Sequence, residues 1–92
     1  MAKESDLTKI ILNYLIEKGH YAFKHWGGMM GTRGVSDIIG VKRPEGTAFF
    51  LEVKKPGLEA EDKQKNFLFD CAMAGAITGV IHTLEEVKKL GL

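Results

Sequence analysis

Between Ser5 and Lys18 the apolar residues Leu7, Ile10, Ile11, Tyr14 and Leu15 return at helical intervals, so one stripe of a helix faces a core. Gly19 follows where the stripe stops, which predicts a helix over 5–18. From His20 to Trp26 the period shortens to two, with Tyr21, Phe23 and His25 alternating with Ala22 and Lys24, the pattern of a strand. Gly27, Gly28, Gly31 and Gly34 then crowd a short stretch that reads as a loop. Val35 to Lys42 is a β-branched run and reads as a buried strand. Pro44-Glu45-Gly46 is a turn, and Ala48 to Lys54 is the next strand, closed by Pro56-Gly57. Glu59 to Ala74 predicts a second helix ended by Gly75, and Ile77 to His82 a short strand. Thr83 and Glu86 stand at capping-box spacing before a last helix, whose apolar stripe is Leu84, Val87 and Leu90. The order is αβββαβα. A hairpin followed by a β-α-β crossover implies an α/β protein with a mixed central sheet of about four strands flanked by helices.

Size and charge narrow the picture. The chain has 92 residues, which is read as one small domain over 1–92 with a limited core. Thirteen basic residues against twelve acidic ones leave a net charge of +1. A protein that grips nucleic acid by charge alone is more basic than this, whereas acids gathered around a metal would offset basic residues elsewhere. The one cysteine, Cys71, excludes an intrachain disulfide, and no Cys/His array suggests structural zinc. Met1 to Asp6 is polar and unlike a signal peptide, and no apolar run is long enough for a bilayer. The expectation is a cytoplasmic protein with no membrane partner.

The chemistry concentrates on two strands. In Phe49-Phe50-Leu51-Glu52-Val53-Lys54, alternation puts Phe49, Leu51 and Val53 on one face and Phe50, Glu52 and Lys54 on the other. An acid and a lysine therefore share a face of an otherwise apolar strand, where burial is costly unless charges pair or bind metal. Taken alone, Glu52 and Lys54 would be an ordinary exposed pair on a sheet edge. Asp37, inside Val35-Ser36-Asp37-Ile38-Ile39-Gly40-Val41, changes that: if the strands pair, Asp37 and Glu52 converge. A hard divalent cation, Mg²⁺ or Mn²⁺, relieves the repulsion between two such carboxylates. Held there, it would polarise a phosphate and lower the pKa of a water, while Lys54 would orient the nucleophile or stabilise transition-state charge.

Gly34-Val35-Ser36-Asp37 followed by Glu52-Val53-Lys54 resembles the D-(x)n-E-x-K signature of the PD-(D/E)XK nuclease superfamily. More narrowly, the chain is similar over nearly its whole length to the VRR-NUC (virus-type replication-repair nuclease) domain. The features that carry the likeness are Glu4 on the first helix, Gly34 to Gly40, Phe50 to Lys54, and Gln64 opening the second helix before Phe67. The resemblance implies a restriction-endonuclease-like core. It implies that Asp37, Glu52 and the Val53 carbonyl bind Mg²⁺ or Mn²⁺, that Lys54 is catalytic, that Gln64 supports the site, and that Glu4 joins it directly or through water. Ser36 stands where the family often has proline. The implied activity is metal-dependent hydrolysis of DNA phosphodiester bonds, directed at four-way junctions or other branched DNA, in a phage or bacterial protein acting in the host cytoplasm.

The glycine-rich loop lacks Gly-Lys-Ser/Thr and precedes a strand, so it is not a nucleotide-binding P-loop. It borders Asp37 in sequence, which makes Arg33 the first candidate DNA contact, with Lys24 and Lys55 behind it; solvated surface charge is the plain alternative for each. Trp26 is a core residue or a base-stacking one. His20, His25 and His82 have no metal-ligand spacing. A small chain offers little surface to grip a duplex, so a homodimer is expected, with Leu84, Val87 and Leu90 as the candidate interface. The near-neutral charge keeps a second class open: a non-catalytic nucleic-acid-binding or assembly module that retains the nuclease fold.

Overall fold

The computed structural model describes residues 4–25 and 34–92, and Trp26, the glycine cluster at 27–31 and Arg33 lie outside them. Its elements are α1 (Glu4–Glu17), β1 (Tyr21–Lys24), β2 (Ile38–Val41), β3 (Ala48–Val53), α2 (Asp62–Met73), β4 (Ile77–Ile81) and α3 (Leu84–Lys89). The expected order and the mixed α/β architecture are both present. The strands lie in the order β1-β2-β3-β4. β1 and β3 flank β2 antiparallel, and β4 runs parallel to β3 after the α2 crossover.

One face of the sheet carries the core. Ile38, Phe49, Leu51, Val53 and Ile81 point into it, and Ile11, Leu15 and Val87 meet them from α1 and α3. Each such fully buried side chain contributes roughly 1.5–3 kcal/mol by leaving water. Leu92 joins this cluster at 4 % exposure, and the Tyr14 hydroxyl donates to its carbonyl at 2.9 Å, tying the end of the chain to α1. Gly40 is needed where it stands: a Cβ there would overlap the Phe49 ring and lie 2.5 Å from the Tyr21 carbonyl oxygen. The opposite face carries Phe50, on which Phe67 of α2 packs edge-on at 5.5 Å.

The Thr83–Glu86 capping box forms as its spacing predicts. Glu86 N–H donates to Thr83 Oγ1 at 3.3 Å, and Glu86 Oε1 accepts from Thr83 N–H at 2.9 Å.

Three expectations change. β2 begins at Ile38 rather than Val35, because the Asp37 side chain takes the next backbone donor of β3. α2 begins at Asp62 rather than Glu59, because Glu61 is extended and serves as its N-cap. The stripe on α3 is not an exposed interface: Val87 is wholly buried, and Leu84 and Leu90 pack against the core. The same periodicity that suggests a sticky surface describes a helix docked on its own sheet.

Candidate active site

Asp37 sits where β2 and β3 part. Its carbonyl accepts from His25 N–H at 2.7 Å, which holds it to the end of β1. Its Oδ2 accepts from Val53 N–H at 2.8 Å, so a side chain takes the place of the next rung between β2 and β3. In an extended strand a residue's N–H and C=O leave on the same edge. The Val53 carbonyl is therefore directed to the Asp37 side, while β3 stays paired with β4 through Lys54 N–H to Ile81 C=O at 2.9 Å. Ser36, just before Asp37, is 1 % exposed, and its hydroxyl donates to the Ile38 carbonyl at 3.3 Å. Gly34 has φ +80°, and a Cβ on it would lie 2.5 Å from the Lys63 carbonyl oxygen. That close approach packs the segment leading to Asp37 against the first turn of α2.

Glu52 is 3 % exposed. Its Oε2 accepts from Gln64 Nε2 at 2.8 Å and lies 3.7 Å from Lys54 Nζ. Its Oε1 is buried with no hydrogen-bond partner among the described residues. Burial is the chief reason its pKa rises, to about 7; the Asp37 charge beside it raises it further, Lys54 opposes the rise, and a hydrogen bond with Asp37 and the more distant charge of Glu4 add to it. Gln64 works at both ends of its amide. Its Oε1 accepts from Glu61 N–H at 2.8 Å, closing the start of α2, while its Nε2 holds Glu52.

Asp37, Glu52, Lys54 and Gln64 are thus brought together from three elements. Glu4 reaches Glu52 only through its charge; among the described residues no three acids, histidines or cysteines come close enough to hold one ion. Lys24 lies on the α1 side of β1 and lines a groove with Ser5, Thr8 and Lys9, away from Glu52. Lys55 is exposed just past Lys54.

The fold recurs in solved structures. One titled "VRR_NUC domain" superposes with a TM-score of 0.79 at 23% identity, covering 98% of this chain and 95% of that one. A second, "VRR_NUC domain protein", gives 0.76 at 19% identity over 97% and 84% of the two chains. The chain has the VRR_NUC fold. No family model and no curated protein matches its sequence.

The donor set of this VRR_NUC fold fits a hard divalent cation. Two neighbouring carboxylates, one ending in a buried oxygen without a partner among the described residues, and a backbone carbonyl on the same edge suit an ion that keeps several waters. An unpaired buried acceptor costs about 1–3 kcal/mol, a cost that a bound cation would remove. Two features of the site escape the strand-based logic. One is that Asp37 ends the ladder, which no spacing announces. The other is the cap made by Gln64, for which Glu61-x-x-Gln64 is a readable signal at the same spacing as Thr83-x-x-Glu86.

Proposed function

We propose that the chain is a Mg²⁺- or Mn²⁺-dependent endonuclease that hydrolyses DNA phosphodiester bonds. The observation that carries this reading is the buried, unpartnered oxygen of Glu52 beside Asp37, with Lys54 on the same carboxylate. The VRR_NUC fold of the solved structures supports it. Asp37, Glu52 and the Val53 carbonyl would hold the cation. When bound, it supplies Lewis-acid polarisation of the scissile phosphate and a more acidic water.

The remaining work falls to the chain's own groups. Lys54 Nζ, at 15 % side-chain exposure, is positioned to orient the attacking water and to stabilise negative charge on the phosphate. Gln64 holds Glu52 Oε2 at 2.8 Å and so limits the rotamers of that side chain, leaving Oε1 for the cation. Lys55 supplies a phosphate contact outside the cleft, and Arg33, outside the described residues, remains a proposed one. Branched DNA such as four-way junctions is the proposed substrate.

A homodimer remains part of the proposal, with its surface moved from α3 to α2, where Phe69 and Met73, one turn apart, are 63% and 74% exposed. No helix among the described residues is long and apolar enough to cross a membrane.

The test is cleavage of junction, flap, nicked and single-stranded DNAs with and without Mg²⁺ or Mn²⁺, beside Lys54→Ala. Wild-type cleavage that stops with chelator and is lost in Lys54→Ala supports the assignment; equal cleavage by both proteins defeats it. Calorimetric titration with Mn²⁺ separates the non-catalytic class, which would show no binding that depends on Asp37 and Glu52. A monomeric mass at micromolar concentration would remove the dimer from the proposal.

A further inference from the structure

The sheet face that carries Glu52 is only half covered. α2 lies over its β3–β4 side through Phe67 and Gln64. Among the described residues no element covers the β1–β2 side. There, on the edge strand, Tyr21 and Phe23 are 67% and 43% exposed, with Val41 beside them at 43%. Their rings lie 5.9 Å apart, centroid to centroid. Alternation turns Ala22 toward the core and leaves Tyr21 and Phe23 on the Glu52 face.

The register turns this into a scale. Tyr21 pairs with Val41, which faces Ala48, and Phe23 pairs with Ile39, which faces Phe50. The next row on the same face is Asp37 beside Glu52. Rows of one face are two residues apart, about 6.8 Å, and strands about 4.8 Å. Phe23 is therefore roughly 12 Å from Glu52, two strands across and one row along, and Tyr21 is one row further. That row spacing is twice the 3.4 Å or so between stacked bases on one strand of B-DNA. It fits an extended strand whose bases rest on protein rings instead of on each other.

Beyond Tyr21 the polarity changes. Tyr21, Val41, Lys42 and Arg43 line a recess of about 210 Å³. Lys42 is held by Glu45 at 2.8 Å, while the Arg43 guanidinium makes no ion pair among the described residues. The order from the carboxylates outward is thus ring, ring, free cation.

We propose that Phe23, Tyr21 and Arg43 form a track for unpaired nucleotides flanking the scissile phosphate, with bases stacked on the two rings and a phosphate at Arg43. This rests on the nuclease reading and narrows its substrate from branched DNA in general to branched DNA with a single-stranded flank at the cut, a flap rather than a fully paired four-way junction. A paired duplex keeps its bases stacked inside and offers the rings nothing.

The experiment measures binding by fluorescence anisotropy in EDTA, using a labelled oligo-dT, the same backbone with abasic sites, and a blunt duplex. The proteins are wild type, Tyr21→Leu/Phe23→Leu, which keeps apolar bulk on the strand but removes the π faces, and Arg43→Gln. Stacking on each ring predicts about 5-fold or more loss of oligo-dT affinity per ring in the double variant. It also predicts no change on the abasic strand or the duplex. Arg43→Gln should weaken all single strands alike and reduce the salt slope by about one phosphate. Wild-type affinity for oligo-dT in the double variant overturns the track. So does equal loss on oligo-dT and the abasic strand, or a dimer whose dissociation the two rings control. Cleavage by wild type separates the two ideas. Metal-dependent cutting with an unaffected double variant defeats the track alone. Base-dependent binding without any cutting defeats the nuclease reading alone.

Discussion

Replacing Glu52 by glutamine should make the metal-free protein more stable, and only above a defined pH. In the wild type, burial and the neighbouring Asp37 lift the carboxyl from 4.5 to about 7. A carboxyl raised in the fold contributes its stability below its unfolded value and loses it as the pH climbs through the folded one. That shift corresponds to about 3 kcal/mol of extra cost for carrying the charge at pH 8. Glu52→Gln keeps the shape and retains an oxygen for Gln64 Nε2, but it carries no charge at any pH. Urea unfolding in EDTA, followed from pH 4 to 8.5, should give similar stabilities for the two proteins at the acid end. The variant should pull ahead between about pH 4.5 and 7, and stay ahead by about 3 kcal/mol above that. Other titrating groups, such as Glu45 and Glu86 with their lowered values and His20 with its own, are common to both proteins and cancel in the difference. Adding Mg²⁺ at pH 8 should reverse the order. An ion at about a thousand times its Kd adds about 4.1 kcal/mol to a protein that binds it, more than the deficit of about 3 kcal/mol, and the glutamine variant should gain far less. A pH-independent difference, or a variant less stable than wild type at pH 8 in EDTA, would refute both the burial argument and the view of this carboxylate as strained for function.

Gln64→Ala should lose about 1–2 kcal/mol of stability, since it removes a cap and a buried hydrogen bond together, and its kcat should fall more than its KM rises; Gln64→Glu, which keeps the cap acceptor but puts another charge beside Glu52, should restore the helix and not the rate. Circular dichroism melts beside steady-state cleavage would separate the two effects, and a fall in KM alone would contradict them. Gly40→Ala should destabilise by about 1–3 kcal/mol through the clash with Phe49, visible as a lower urea midpoint with an unchanged slope; an unshifted midpoint would show that the ring has room to move.

Much of this was legible beforehand, for reasons that differ by element. α1 is read from its stripe because Ile11 and Leu15 face a core on one side only. The meeting of Asp37 with Glu52 follows from strand alternation and the hairpin register, so those residues could be named from the chain. The start of β2 could not, because a tertiary bond sets it: Asp37 stops β2 by reaching Val53. The start of α2 has a local signal instead, Gln64 reaching Glu61 at capping-box spacing. The α3 stripe misled because periodicity reports that one side is apolar without saying what lies against it. Alternation on β1 puts Lys24 on the α1 face, opposite Glu52, so as a DNA contact it would serve a surface away from the carboxylates. The orphaned oxygen of Glu52 has no sequence signal, since it depends on what fails to arrive beside it.

The carboxylate of Asp37 also has a consequence for how such a site can arise. By occupying one backbone donor it ends the pairing of β2 with β3, while β3 continues beside β4. Two strands that would otherwise zip on part at this rung. In the proposed nuclease, site and sheet would compete for the same donor: one more β2–β3 pair would take Val53 N–H from Asp37 and draw its carboxylate away from Glu52. A change that improves the ladder here would then cost the proposed activity. The place where regular structure stops would be part of how the proposed site is built.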